Sequence, residues 1–168
     1  PSATSDALYV LAPTGSGGVS GAQVIRVGNV PNPSGVRSAT INGKDPYTIA
    51  AEVDRFAAAA KGRPSANVVI APGEDPGFAM PAAGWAAESG EPVLFVNRSG
   101  IPEPTRQALL SHQHPHIYVH GPSSVISDSV VSQLAKYGTV KRVAGGDPSS
   151  NSVTFAAYRD PACAYGQP

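Results

Sequence analysis

The sequence predicts an α/β domain with a doubly wound, mostly parallel sheet and helices on both faces, the Rossmann-like three-layer arrangement. Three observations predict this fold. From about residue 65 onward, short apolar segments alternate with helix-like stretches. Glycine or proline marks the junctions between the two kinds of segment. The short segments are almost continuously apolar, which is typical of strands that are covered on both faces of a sheet.

Four strands are predicted in this region. Each contains four or five residues and is rich in β-branched or aromatic side chains, which favour a strand. The predicted strands are residues 67–71, 92–96, 116–119 and 139–143. Because helix-like stretches separate them, each connection is expected to be a right-handed crossover between parallel strands.

The helix-like stretches carry start and stop signals. Residues 78–89 are rich in alanine and end at Gly90, a residue type that readily adopts the left-handed conformation at a helix end. Residues 102–111 have a proline at the start, where a helix tolerates it. A third helix is predicted to begin near Ser127 and to end at Gly138, with apolar side chains at helical spacing between them.

The first 64 residues are less regular. Residues 8–11 and 24–27 are predicted as strands, and residues 28–41, which contain two prolines and two glycines, are predicted as a loop. The clearest helix of the chain then begins at Asp45, an N-cap residue followed by proline, and ends before Gly62. Its apolar residues recur at spacings of three and four, which indicates one buried face.

Composition limits the classes of function. The 168 residues are 41% hydrophobic, which is enough to bury a core, and 12 Lys and Arg balance 12 Asp and Glu. This balance excludes a broad basic surface for nucleic acid or for an anionic membrane. No apolar segment approaches the roughly 20 residues of a membrane-spanning helix. The single cysteine excludes an internal disulfide and a cysteine-based zinc site.

Polar residues follow three of the predicted strands. They lie in the segments Gly73-Glu74-Asp75, Asn97-Arg98-Ser99 and Gly121-Pro122-Ser123-Ser124. The carboxyl ends of parallel strands share one edge of a sheet, where open α/β folds bind their ligands. These loops are therefore expected to line one edge, with serines near a helix start that donate to an anion or to a sugar hydroxyl. The alternative is that Asp75, Ser123 and Ser127 only cap helices.

Other motifs give weaker indications. The spacing of Gly15, Gly17 and Gly21 does not match a dinucleotide-binding fingerprint, and no phosphate-binding loop is present. Four histidines cluster in residues 112–120, but no carboxylate or cysteine lies near enough in sequence to complete a metal site. They are therefore expected to lie at the surface or to be half-buried. No nucleophile or acid/base pair is arranged for catalysis, and we expect neither a cofactor nor a metal.

Two longer segments have a recognisable order of features. Residues 71–110, APGEDPGFAMPAAGWAAESGEPVLFVNRSGIPEPTRQALL, contain a glycine-acid turn, an alanine-rich helix, a proline-led strand and an Ile-Pro helix start. Residues 117–147, IYVHGPSSVISDSVVSQLAKYGTVKRVAGGD, continue the pattern. Together, residues 36–158 resemble the bacterial cell-wall-binding repeat 2 family. Modules of this family attach surface-layer proteins, adhesins and autolysins to wall polymers, so the resemblance implies an exported, non-catalytic wall-binding module.

The sequence departs from the family pattern at polar positions. The family's Gly-x-Asp-Arg-Tyr-x-Thr-Ala motif is present as residues 43–50, with Pro46 in place of arginine and Ile49 in place of threonine. In the related motif at residues 145–148, Pro148 again stands where arginine is usual. Arginine presents a five-donor group suited to carboxylates and phosphates. Its loss implies either a different ligand or a module that has become structural.

The resemblance also implies a domain organisation. We expect one α/β domain over residues 1–168, with an irregular part at 1–42, a repeat core at 43–147 and the start of a second repeat-like unit at 148–168. Because the chain begins at Pro1, we expect either that a leader has been removed or that this is a piece of a longer protein. Modules of the family occur as tandem copies that pack together, so self-association of this unit is a further hypothesis.

Three hypotheses of function follow. The first is a secreted cell-surface module that binds a cell-wall polysaccharide or a teichoic-type polymer, with no contact to nucleic acid and no membrane insertion. Its candidate ligand-binding residues are Asp45, Tyr47, Gly73, Glu74, Asp75, Arg98, Ser123, Ser124, Arg142 and Asp147. The arginines would contact acidic groups, and the carboxylates and hydroxyls would contact sugars. The second hypothesis is a Rossmann-like enzyme or nucleotide binder, and the third is a structural or assembly module of a surface protein.

Overall fold

The computed structural model describes residue 22 and residues 24–162. Six strands and five helices lie in this part of the chain. The strands are β1 (Val24–Val27), β2 (Ser38–Ile41), β3 (Asn67–Pro72), β4 (Val93–Val96), β5 (His116–His120) and β6 (Thr139–Val143). The helices are α1 (Pro46–Lys61), α2 (Pro76–Ser89), α3 (Glu103–Ser111), α4 (Asp128–Leu134) and α5 (Pro148–Ala156). None of these five helices is both long and apolar enough to cross a bilayer.

Strands β3 to β6 form one four-stranded sheet in the order β4-β3-β5-β6, and every neighbouring pair is parallel. In this register Ile70 of β3 lies opposite Leu94 of β4 on one side and Val119 of β5 on the other. Strands β1 and β2 form a separate two-stranded parallel sheet. The parallel sheet that the nearly continuous apolar segments predicted is therefore confirmed.

Side chains of the central strand β3 alternate between the two faces of the main sheet. Val68 and Ile70 lie on face one, where α1, α3 and α4 pack, whereas Val69 and Ala71 lie on face two, where α2 and α5 pack. All four side chains are fully buried. Helices therefore cover both faces, as predicted, and the fold has three layers.

The connections diverge at the carboxyl ends of β3 and β5, which are neighbours in the sheet. The chain leaves β3 through α2 on face two, and it leaves β5 through α4 on face one. Adjacent strands whose helices pass to opposite faces leave a crevice between their loops, and doubly wound folds bind ligands at this point. The topology thus predicts that a ligand site lies at the loops that follow β3 and β5.

Three helices begin with the same Asp-Pro pair. Asp45, Asp75 and Asp147 are the N-caps of α1, α2 and α5, and proline occupies the first turn of each helix. The carboxylate accepts hydrogen bonds from backbone N–H groups that have no partner within the helix, and proline has no N–H group of its own. The pair therefore fixes each helix start by local chemistry.

The predicted loop over residues 28–41 is wrong at its carboxyl end. Ser38–Ile41 is strand β2, which pairs with β1 in register from Val24 opposite Ser38 to Val27 opposite Ile41. A strand this short carries little local signal, and its hydrogen bonds go to a strand on the other side of the proline-containing turn. The strand predicted over residues 24–27 is confirmed, and the one predicted over residues 8–11 lies outside the described residues.

Candidate functional site

We define the carboxyl edge as the loops that follow the strands of the main sheet, residues 73–75, 97–102, 121–127 and 144–147, together with the start of α1. Because the four strands are parallel, their loops lie at the same edge of the sheet. The start of α1 belongs to this edge because the ring of Tyr47 packs directly on Gly73. A Cβ atom at position 73 would lie only 2.7 Å from that ring, so the contact requires glycine.

The main chain of Arg98 joins three of these loops. Its N–H group donates to Oε2 of Glu74 at 3.1 Å, and its carbonyl oxygen accepts from the N–H group of Ser127 at 2.9 Å. Nearby, the N–H group of Gly73 donates to the carbonyl oxygen of Val96 at 2.9 Å. The loops after β3, β4 and β5 are thus connected through the main chain of Arg98 and the Glu74 carboxylate, and Arg98 itself is exposed.

The phenol of Tyr47 is half-buried beside two acidic residues. Burial raises its pKa, and the negative charges of Glu74 and Asp45 raise it further. The hydroxyl group therefore stays protonated at neutral pH and is available as a hydrogen-bond donor at the carboxyl edge.

The three N-cap aspartates are occupied by helix backbone. Oδ1 of Asp45 accepts from the N–H group of Thr48 at 2.7 Å, and Asp75 and Asp147 accept from two N–H groups each. The backbone hydrogen bonds of Thr48 and of Ser150 hold the pKa values of Asp45 and Asp147, respectively, below the ordinary range. A carboxylate thus stands at each helix start where an incoming anion would otherwise bind.

The guanidinium group of Arg142 is also engaged within the protein. It donates to the carbonyl oxygens of Gly121 at 2.7 Å and Ile126 at 2.9 Å, and to Oδ1 of Asp128 at 3.0 Å. These bonds brace the loop between β5 and α4 from the neighbouring strand β6. Within that loop, Ser123 and Ser124 are exposed. Arg142 therefore positions the segment that presents the two serines.

Contacts connect the remaining loops to this group. A Cβ atom at Gly77 would lie 3.2 Å from the side chain of Pro148, so the starts of α2 and α5 are adjacent. Asp75 and Asp147 therefore cap neighbouring helices. The ten predicted residues all lie in the carboxyl edge or, for Arg142, in the strand that braces it. Some of them are exposed and some hold the loops in place, and Glu74 and Asp147 do both.

The expectation that the four histidines are exposed or half-buried is wrong for two of them. His112 is 4% exposed and His120 is 0% exposed. His120 follows the strand alternation of β5 onto face two, where its ring lies 4.1 Å from that of Phe155 between centroids. Burial lowers the pKa of His120 to about 3, so it is neutral. In the sequence His120 follows Tyr118 by two residues, so the two side chains lie on the same face of β5, and this spacing was the available signal for the burial of His120.

His112 lies at the carboxyl end of α3, where its two ring nitrogens contact Asp54 and the carbonyl oxygen of Ser65. No sequence signal pointed to this contact, because Asp54 lies 58 residues away in α1. Over the described residues, no group of three or more His, Cys, Asp or Glu side chains is placed to hold a metal ion.

Comparison with known proteins identifies the family. The model of Cell wall binding domain 2 (CWB2) matches residues 40–131. Among solved structures, Cwp6 from Clostridium difficile matches with a TM-score of 0.62 and 25% identity, over 69% of this chain and 18% of that one. Cwp8 from Clostridium difficile shares the fold, with a TM-score of 0.61 and 16% identity over 73% of this chain and 20% of that one.

The chain therefore corresponds to about a fifth of the length of these two proteins. No curated protein matches the sequence. The family match spans more than half of the chain, from β2 into α4, and it includes the loops after β3, β4 and β5. It confirms the resemblance found from the glycine-acid turn and the Ile-Pro helix start. The chain belongs to the cell wall binding domain 2 family.

Proposed function

We propose that this chain is an exported, non-catalytic surface module that attaches to a cell-wall glycan through the carboxyl edge. The observation that carries the proposal is the family match over residues 40–131, which contains the three loops joined by the main chain of Arg98. Association with the cell wall follows from family membership. The edge, the polymer and the route of export are the parts that we propose.

Exposed side chains are proposed to make the contacts. Arg98, Ser123 and Ser124 are exposed, and Glu74 uses one carboxylate oxygen for the Arg98 N–H group. Hydroxyl and carboxylate groups pair well with sugar hydroxyls, and the guanidinium group suits an acidic substituent. Tyr47 supplies a further hydroxyl donor, and the Gly73 backbone provides the space for its ring.

The other candidates are proposed to shape the edge. Asp45, Asp75 and Asp147 cap helices, and Arg142 braces the loop between β5 and α4. Three carboxylates at helix starts and a net charge of zero disfavour strong attraction to a highly charged polyanion. We therefore favour a glycan recognised mainly through its hydroxyl groups, with local contacts to acidic groups at Arg98.

Sedimentation with purified cell walls tests the proposal. The wild-type chain should be found in the wall pellet, and Arg98→Ala combined with Ser123→Ala and Ser124→Ala should reduce the bound fraction several-fold. The matched control is Arg63→Ala, because Arg63 is equally an exposed arginine but precedes β3 at the opposite edge. If the wild-type chain stays in the supernatant, or if both variants bind equally well, the carboxyl edge is not the binding surface.

A structural role is the second candidate function, favoured by Pro46 and Pro148 where the family has arginine. In that case wall binding is absent and the unit serves only assembly with other copies. The wall-sedimentation experiment separates the two functions, and sedimentation velocity over a range of concentrations tests whether the unit assembles with other copies. A particle larger than one chain supports self-association, and a monomer at all concentrations contradicts it.

A further inference from the structure

The contact between α1 and α3 contains a fully buried histidine and a buried carboxylate. Nε2 of His112 lies 2.8 Å from Oδ2 of Asp54, and its Nδ1 lies 2.8 Å from the carbonyl oxygen of Ser65. The His112 side chain is 0% exposed and that of Asp54 is 4% exposed. Three elements meet here: α1, the end of α3 and the loop that leads into β3.

The geometry fixes the number of protons in this contact. A carbonyl oxygen only accepts hydrogen bonds, so Nδ1 must carry a proton. Nε2 faces a carboxylate, so a second proton must lie between these two groups, on the ring or on the carboxyl oxygen. Without it, the lone pair of Nε2 would face a negative charge at 2.8 Å between two buried side chains.

We propose that Asp54 and His112 form a proton-dependent clamp that holds α1 against α3 at neutral pH and releases it when the second proton is lost under alkaline conditions. The clamp is a property of the buried pair and does not depend on which polymer the module binds.

The charged surroundings support this assignment. Asp54 is the charged group that acts on His112 from α1, and Ser65 contributes a carbonyl oxygen from the loop before β3. Of the other charged groups near the pair, Arg55 is exposed and pairs with Glu52, and Lys61, which lines the same cavity as Asp54, donates to the carbonyl oxygen of Gly90. Glu91 also lines that cavity and accepts from Trp85, and Arg63 and His114 are exposed. Burial alone would lower the pKa of His112, but the hydrogen bonds to Asp54 and Ser65 outweigh burial, and the pKa is raised above 6.5.

The sign of the pH dependence follows. His112 binds its proton more tightly in the folded state, so its contribution to stability is complete below pH 6.5, the value of an unperturbed histidine. The contribution is lost as the pH rises from there through the raised pKa. Each unit of elevation corresponds to about a tenfold loss in the folding equilibrium constant.

The clamp has a consequence at the other end of α1. The same helix carries Asp45 and Tyr47 to the carboxyl edge, where Tyr47 packs on Gly73. Release of α1 would therefore disturb that contact. This step alone rests on the proposed function, because it links the proton to the binding surface.

Nitrogen-15 NMR of the histidine rings is the first test, and it uses the unmodified chain. At pH 7 both ring nitrogens of His112 should carry protons or share one with Asp54, and the titration midpoint of His112 should lie above 6.5. The protection of the α1 amides from hydrogen exchange, corrected for the intrinsic rise of the exchange rate with pH, should fall above the His112 midpoint. A midpoint below 6.5, or exchange in α1 that does not follow the titration, would overturn the clamp.

Two variants sharpen the test. In Asp54→Asn, the amide can donate to a neutral Nε2 while Nδ1 still donates to Ser65, so no extra proton is needed. The loss of stability as the pH rises above 6.5 should therefore disappear, and the His112 midpoint should fall. The control, His114→Gln, should retain the wild-type pH dependence. An unchanged alkaline loss in Asp54→Asn contradicts the proposal whether or not wall binding is observed, and failure of wall binding alone leaves the clamp intact.

Discussion

The two buried histidines occupy opposite kinds of environment. His112 has an oxygen acceptor at each ring nitrogen and joins α1 to α3 at the end remote from the carboxyl edge. His120 lies at the carboxyl end of β5, and neither of its nitrogens has a hydrogen-bond partner within residues 24–162. Its neighbours are the rings of Trp85 and Phe155, at centroid distances of 5.8 Å and 4.1 Å.

The difference shows that the partner, and not burial, decides the charge of a buried imidazole. Burial disfavours the charged ring in both cases, but only His112 has a carboxylate that reverses the effect. His112 therefore acts as a polar connection between helices, and His120 acts as one more aromatic ring of face two. Removal of each should have different consequences.

The largest effect on stability is expected from Trp85→Ala, which removes one of the aromatic rings that surround His120. The ring is fully buried, lies 4.7 Å from that of Tyr118, and donates from Nε1 to Glu91 at 2.8 Å. Its loss should lower the free energy of unfolding by about 4 kcal/mol, because a large cavity forms and a buried acceptor loses its donor. Urea unfolding measures this. Met80→Ala, on the exposed side of the same helix, is the control and should change stability by less than about 0.5 kcal/mol.

The second-largest effect on stability is expected from His112→Phe, which removes the contacts of the imidazole with Asp54 and Ser65. The phenyl ring cannot pair with Asp54, and a buried carboxylate without a partner is costly. The free energy of unfolding at pH 7 should fall by about 3 kcal/mol. A fall of less than about 1 kcal/mol in the same urea experiment would mean that water or another residue replaces the ring.

Between pH 6.5 and 4.5, the pH dependence of stability should come mainly from His120. In the folded state its pKa is lowered to about 3, whereas the unfolded chain binds the proton near pH 6.5. Its contribution to stability is therefore complete above pH 6.5 and is lost as the pH falls. Between pH 6.5 and 4.5 the free energy of unfolding should fall by roughly 2 kcal/mol. His120→Phe should remove this slope, and a slope that persists in the variant would assign it to other groups.

The smallest effect is expected from His120→Phe at pH 7. No hydrogen bond is lost, and the new ring is apolar and similar in size, so stability should stay within about 1 kcal/mol of the wild type. The contrast with His112→Phe at the same pH is the most direct test of the comparison. Equal losses in the two variants would show that His120 has a polar partner.

The parts of the fold that sequence predicted are those with local causes. Residues 67–72 form a strand because all side chains except Asn67 are apolar, and residues 116–120 form one around the β-branched and aromatic run 117–119. Asp45 and Asp75 cap helices through groups two or three residues away. Strand β2 escaped prediction because Ser38–Ile41 is defined by its pairing with β1.

In the candidate site, too, the features with local causes could be predicted and those that depend on distant residues could not. The loops that line the carboxyl edge could be predicted because parallel strands place them together. The roles of individual residues could not, since the bonds of Arg142 to Gly121 and Ile126 and the pairing of His112 with Asp54 span 16 to 58 residues. An isolated arginine or histidine in the sequence has no pattern that distinguishes a brace from a ligand contact.

One feature of the edge bears on how such modules diversify. At position 98 the amide and the carbonyl oxygen, and not the guanidinium group, bind Glu74 and Ser127. Every amino acid except proline supplies the same two groups, so the side chain at this position is free to change during evolution without altering the architecture around it. A substitution at residue 98 would thus change the chemistry of the exposed surface while the joined loops keep their positions.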